Sequence, residues 1–279
     1  MHWVPLVASL VAAAAITPTT VRGLAAQGMV RENYRGARVA FPAGVALLLP
    51  AMVALVVAAP LYQLVDIDVL EPGFGFALVY VLGIGCLGLI DDLVGSGSGQ
   101  PRGWRGHFNA LGGRQISTGV FKAVGALGLA LFVAADPSAG AGTYLLSTAV
   151  LVLATNVFNL LDLRPGRASK AFIVLGVGLT IGSRQLDPLW TVGLFLGPIL
   201  VLLPLDLREV AMLGDTGSNV IGAVAGIWLI LTLTSTLGLA IAAGVLALIT
   251  LYGEFRSISA FVERTPGLRQ LDLLGRSHA

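Results

Sequence analysis

Nine long apolar runs decide what this chain can become. They fall at 3–21, 42–64, 73–90, 117–135, 143–161, 168–183, 189–205, 217–234 and 237–253. A helix needs roughly 20 mostly apolar residues to cross a bilayer. Within lipid each backbone amide must find its partner inside the segment, so runs of this kind become helices. None shows the period-two alternation of a membrane barrel strand. The sixth run is the shortest. Only 11% of residues are charged, too few to cover a water-facing surface; soluble domains carry about a quarter. The expected fold is therefore all-α: one polytopic membrane helix bundle spanning 1–279, with about nine transmembrane helices and no separate soluble domain. Cys86 is the single cysteine, so no intrachain disulfide forms.

The basic residues orient the bundle. The first run lacks a positive segment before it and is followed by Arg22 and Arg31, which favours a retained helix over a cleaved signal. With the N-terminus outside, every Lys and Arg except Arg184 falls on the cytoplasmic side, out of 17 in all. Asp66, Asp68, Glu71, Asp136 and Asp187 fall outside. This is a positive-inside distribution, and it predicts a cytoplasmic C-terminus.

The cytoplasmic loops carry the chemistry. The third run closes on Asp91-Asp92. The fifth leads into 156-NVFNLLDLRPGRASK-170, and the seventh into 212-MLGDTGSN-219. The fourth is preceded by 112-GGRQISTGVFK-122, and the tail reads 264-RTPGLRQLDLLGR-276. These clusters share one face and are expected to converge on a single site. Structural readings compete for most of them. Asp215 has the position of an N-cap for the eighth helix. Asn156, Asn159 and Asp162 recur every third residue along one helix face, as interhelical contacts do. Lys122 and Arg114 sit where snorkelling cations sit. The stretch from Gly95 to Gln100 reads as a flexible connection, and no phosphate-binding glycine loop is present. His2, His107 and His278 are isolated and receive no role. The acid pair resists such readings. At a helix C-terminus a carboxylate opposes the dipole by about 0.3–1 kcal/mol. A hard cation accounts for it better, since Mg²⁺ takes oxygen ligands from one or two carboxylates plus substrate phosphates.

An acid pair after a membrane helix, then N-x-x-N-x-x-D, then G-D-T-G-S, in this order and topology, resembles the polyprenyl-phosphate N-acetylhexosamine-1-phosphate transferase superfamily. That group includes bacterial phospho-N-acetylmuramoyl-pentapeptide transferase and the enzymes that start O-antigen or teichoic acid synthesis. The resemblance covers nearly the whole chain. It implies transfer of a sugar-1-phosphate from a UDP-sugar to polyprenyl (undecaprenyl) phosphate, releasing UMP, at the cytoplasmic face of a bacterial inner membrane. It implies Mg²⁺, with Mn²⁺ as the alternative ion, held by Asp92 and Asp215. Asp91, Asp92 and Asp215 are the implied catalytic residues, with Asp91 deprotonating or orienting the lipid phosphate. Lys122, Asn156, Asn159, Asp162, Arg164 and Arg269 are the implied substrate contacts, and the N-terminus of the eighth helix is implied to favour anionic groups. The resemblance leaves room for a homodimer, and nothing points to nucleic acid as a partner.

Three departures from the family pattern stand out. The usual D-G-x-D-G reads 162-DLRPG-166, so Pro165 replaces an Asp associated with uracil contact, and Arg164 or Arg167 becomes the candidate replacement. The His-rich tail motif is replaced by 266-PGLRQLDLLG-275, in which Arg269 stands for a His and Asp272 for a Glu. The chain also stops before a tenth span. Two other readings remain: a degenerate homologue that binds lipid phosphate or a partner protein without turnover, and a transporter. Transporters place ionisable groups near the bilayer midplane, whereas here they sit at helix ends.

Overall fold

The computed structural model describes residues 1–95 and 118–277. Arg102, Arg105, His107, Arg114, the glycine-serine connection after Gly95 and His278 lie outside the described residues. Each expected apolar run has its helix: α1 (Val4–Ala26), α2 (Val45–Leu64), α3 (Phe74–Val94), α4 (Thr118–Val133), α5 (Ala141–Leu161), α6 (Arg167–Ser183), α7 (Asp187–Leu207), α8 (Gly214–Thr232) and α9 (Thr236–Phe255). Seven of these, all but α4 and α6, are long and apolar enough to cross a membrane.

α8 is the axis of the bundle, packed against α2, α3, α5, α6 and α7, while α1 lies on α2 and α7. Burial follows that arrangement: 78% of the apolar window of α8 is buried, against 17% in α9. Small residues let the helices approach α8 closely, as helix contacts in lipid require. A Cβ on Gly88 of α3 would lie 2.6 Å from the Asp215 carbonyl oxygen, and one on Gly222 of α8 would lie 2.6 Å from Thr155 Cα of α5. Tyr80, fully buried, ties the same layers together through its hydroxyl, 3.3 Å from Thr155 Oγ1.

Two parts of the chain that read as loops have structure of their own. After α1 comes an antiparallel hairpin, β1 (Val30–Glu32) and β2 (Arg38–Ala40), with Arg31 opposite Val39. Its turn is held by Asn33 Oδ1, which accepts the N–H groups of Arg35 and Ala37 at 2.9 and 3.0 Å. The hairpin docks on the segment between α7 and α8: the Met212 N–H donates to the Ala40 carbonyl at 2.9 Å, and Asn33 donates to Glu209 at 2.6 Å. The tail forms α10 (Ile258–Arg264) and α11 (Pro266–Leu273). Asp272 on α11 is buried; it takes Arg167 Nε at 2.8 Å and Nη2 at 3.1 Å, and Arg276 Nη2 at 2.7 Å. Lys170 donates to the Asp272 and Leu274 carbonyls.

Candidate functional site

α3 continues to Val94, so both acids lie in its last turn, and they face different partners. Gly88 sits one turn before Asp92 on the same face, and its lack of a side chain lets α3 press on the start of α8. That contact delivers the Asp92 carboxylate to the α8 N-terminus. Oδ1 accepts the Asp215 N–H at 2.9 Å, and Oδ2 accepts the Thr216 N–H at 2.8 Å and the Thr216 hydroxyl at 2.6 Å. α8 has no capping side chain of its own. Its first amides would otherwise lack acceptors, and a carboxylate there meets the favourable end of the dipole. Gly214 permits the fit: its φ is +70°, and a Cβ would lie 2.7 Å from Asp92 Oδ2. Asp215 therefore does not cap its own helix; the Asp215 and Thr216 amides at the α8 N-terminus are taken by Asp92, whose two oxygens both support the start of that helix.

Asp91 turns instead toward α4. Its Oδ2 lies 3.4 Å from Lys122 Nζ, and Lys122 also donates to Asp215 Oδ2. Thr118, one turn before Lys122, bonds to Asp91. Three helices thus bring two carboxylates and one ammonium together. The group is partly open, Asp215 most so, with 34% of its side chain exposed. Two adjacent carboxylates repel unless a cation or proton lies between them; here an ammonium does. Among the described residues no group of three or more His, Cys, Asp or Glu is arranged to hold a metal ion. A hard cation bound here would meet the Asp91 and Asp215 carboxylates and complete its shell with waters and substrate phosphates, as Mg²⁺ commonly does. The donor set fits that ion.

The N-x-x-N-x-x-D face divides among neighbours. Asn159 Oδ1 lies 3.1 Å from Ser218 Oγ, on the first turns of α8. Asn156 donates to Thr250 on α9 at 3.3 Å, an interhelical contact. Asp162 follows α5. Burial pushes its pKa well above the usual carboxylate range, and the Asp206, Asp215 and Asp92 carboxylates push the same way against Arg167. Together with Tyr34, Arg164, Asp206 and Met212, Asp162 lines a small cavity of about 50 Å³. Arg164 stands at its rim, its guanidinium 4.5 Å from the centre of the Tyr34 ring and 3.6 Å from Glu263. Arg167 is the candidate that drops out, because it is buried and committed to Asp272 and to Ser259 at 3.0 Å. Arg269 is exposed on α11.

Several residues escaped sequence reasoning. Glu209 holds the hairpin through Asn33, Tyr34 and Arg35. Asp206 lies at the end of the seventh apolar run, where an isolated acid facing inward was the available signal. Between α5, α9 and the tail helices runs an apolar groove of about 400 Å³, lined by Ile249, Tyr252, Phe261 and Leu268 and bordered by Arg167 and Lys170. No family model matches the chain, and no curated protein is significantly similar to it.

Proposed function

We propose that this protein is a polyprenyl-phosphate glycosyl-1-phosphate transferase of a bacterial inner membrane, crossing it nine times with the site facing the cytoplasm. The donor is a UDP-sugar, an N-acetylated amino sugar by the family resemblance, and the acceptor is undecaprenyl phosphate. The observation that carries the reading is the Asp91–Lys122–Asp215 cluster, two carboxylates and a lysine contributed by three helices at a partly open helix-end junction. In the reaction an oxygen of the lipid phosphate attacks the sugar-bearing phosphorus. The bond from that phosphorus to the bridging oxygen breaks, and UMP leaves with the bridging oxygen. Magnesium held by Asp91 and Asp215, when bound, supplies charge neutralisation where the donor diphosphate and the lipid phosphate meet. Asp91 takes up a proton remaining on the lipid phosphate. Lys122 holds the two carboxylates in place and offers its ammonium to phosphate oxygens. Asn159 and Asp162 continue the surface toward the donor, with Arg164 at the rim. The apolar groove has the chemistry an isoprenoid chain requires.

The test is a donor screen with radiolabelled UDP-sugars and undecaprenyl phosphate in detergent, with Mg²⁺ and Mn²⁺ in turn. Asp215→Asn and Asp91→Asn are expected to lower kcat by about 10² or more, the range for losing a group that acts in proton transfer or charge stabilisation. Full activity in either variant would remove it from the site. The second reading is a homologue that binds lipid phosphate without turnover. It is favoured by the commitment of Arg167 to the tail and by the loss of the second Asp at Pro165. No transfer from any donor would establish it over the first.

A further inference from the structure

The turn after α5, residues 162–166, carries Asp162 and Arg164, yet charged side chains from outside hold it in place. Asp206 of α7, only 4% exposed, accepts the Gly166 N–H at 2.8 Å. Arg276, beyond α11, donates from Nε to the Pro165 carbonyl at 3.1 Å. Gly166 has φ +70°, and a Cβ there would lie 2.3 Å from Leu207 Cδ2, so the turn packs closely on α7 and only glycine fits at this point. The hold from Arg276 is itself fixed. The same guanidinium donates to Asp272 at 2.7 Å, and Asp272 is gripped by Arg167. The side chains of Arg276 and Asp272 are each 6% exposed. A planar guanidinium can hold a carboxylate and a carbonyl at once in fixed relation, which a point-like ammonium does not do.

We propose that Arg276 is a positioning residue for the sugar-nucleotide donor. Without touching substrate, it clamps the Asp162–Gly166 turn to Asp272, so that the C-terminal arm sets donor affinity. This rests on the transferase reading above, and its test separates the two.

The full chain is compared with Arg276→Lys and Arg276→Gln. In the first arm amide exchange is followed without substrate. Peptides covering 160–167 are expected to exchange about tenfold faster in Arg276→Gln while peptides in 216–226 hold their rate. An unchanged turn, or equal acceleration throughout, overturns the clamp whether or not the protein is a transferase. In the second arm UMP, common to every UDP-sugar donor, is titrated with magnesium present. KM and kcat are then measured with UDP-N-acetylglucosamine. UMP affinity is expected to fall about tenfold in Arg276→Gln and donor KM to rise in step, with kcat and the undecaprenyl phosphate KM within about twofold. Arg276→Lys is expected to fall between the two, since it keeps the charge and loses one acceptor. Full rescue by Lys, or loss of kcat with donor KM unchanged, overturns the proposal. Wild-type protein that neither binds UMP nor transfers sugar sinks the transferase reading and the donor role with it, while the exchange arm still decides the clamp.

Discussion

A carboxylate at the C-terminal end of its own helix is disfavoured there, by about 0.3–1 kcal/mol. Asp92 recovers that cost on a different helix, by accepting the first amides of α8. Asp92→Asn keeps one acceptor oxygen and gives up the charge and the second acceptor. The expected loss of stability is about 1–2 kcal/mol, read as a lower thermal midpoint in detergent. Because Asp215 lies in the turn so anchored, transfer should fall as well, though less than in Asp215→Asn. A midpoint equal to wild type would mean that the cap contributes nothing. The sequence marked the acid pair as unusual but not how its members divide, since Asp92 meets its partners across 123 and 124 positions. Cap signals are read within a few residues of a helix start, and this one comes from elsewhere in the chain.

At the scale of elements, the apolar helices were legible because long apolar stretches are visible without any tertiary knowledge, and seven of them are long and apolar enough to cross a membrane. Hairpin and tail were not. β1 and β2 are three residues each, too short for alternation to register, and their hydrogen bonds run to the segment before α8. The tail helices likewise gain their meaning from Arg167 and Lys170 on α6. The tail lock has a definite pH behaviour. Burial raises the Asp272 pKa, but the hydrogen bond and charge of Arg167, with Arg276 and Lys170, outweigh it and leave the pKa below the ordinary value. A depressed carboxylate adds stability that is present above its unfolded pKa and lost as pH falls through the folded one. Acidification into and below the ordinary carboxylate range should therefore release the tail. Asp272→Asn should abolish that acid sensitivity and destabilise the neutral-pH protein by about 3–5 kcal/mol, because two buried guanidinium groups lose their counter-charge. Proteolytic nicking of the tail as a function of pH reads both effects; a variant as resistant as wild type at neutral pH would contradict them.

For the whole molecule, polar side chains from the ends of α3, α4, α5 and α8 meet at one junction, and burial is greatest along α8. The apolar pattern anticipated the bundle, and the positive-inside distribution anticipated which loops would gather. What it did not carry was the division of labour among the gathered residues: Asn156 to α9, Asn159 to α8, Arg167 to the tail, and Arg164 to the cavity rim. Each of those depends on which neighbour a helix face meets, and a periodicity of three or four residues names a face without naming its neighbour.

The burial of α8 has a consequence for how the protein is made. It is the most enclosed of the seven apolar helices, and its mean hydropathy, 1.2, is the lowest of them, against 2.0 for α7 and α9 on either side. Its first turns carry Asp215, Thr216, Ser218 and Asn219, groups that are costly to expose to lipid. A translocon that offers segments to lipid one at a time would reject this helix more readily than its neighbours, even though the finished bundle depends on it. Biogenesis should therefore require α8 to enter with company. In a glycosylation-reporter fusion, α8 alone is expected to insert poorly, and α7–α8–α9 together efficiently. Efficient insertion of α8 by itself would show that its polar turns are tolerated before any partner helix arrives.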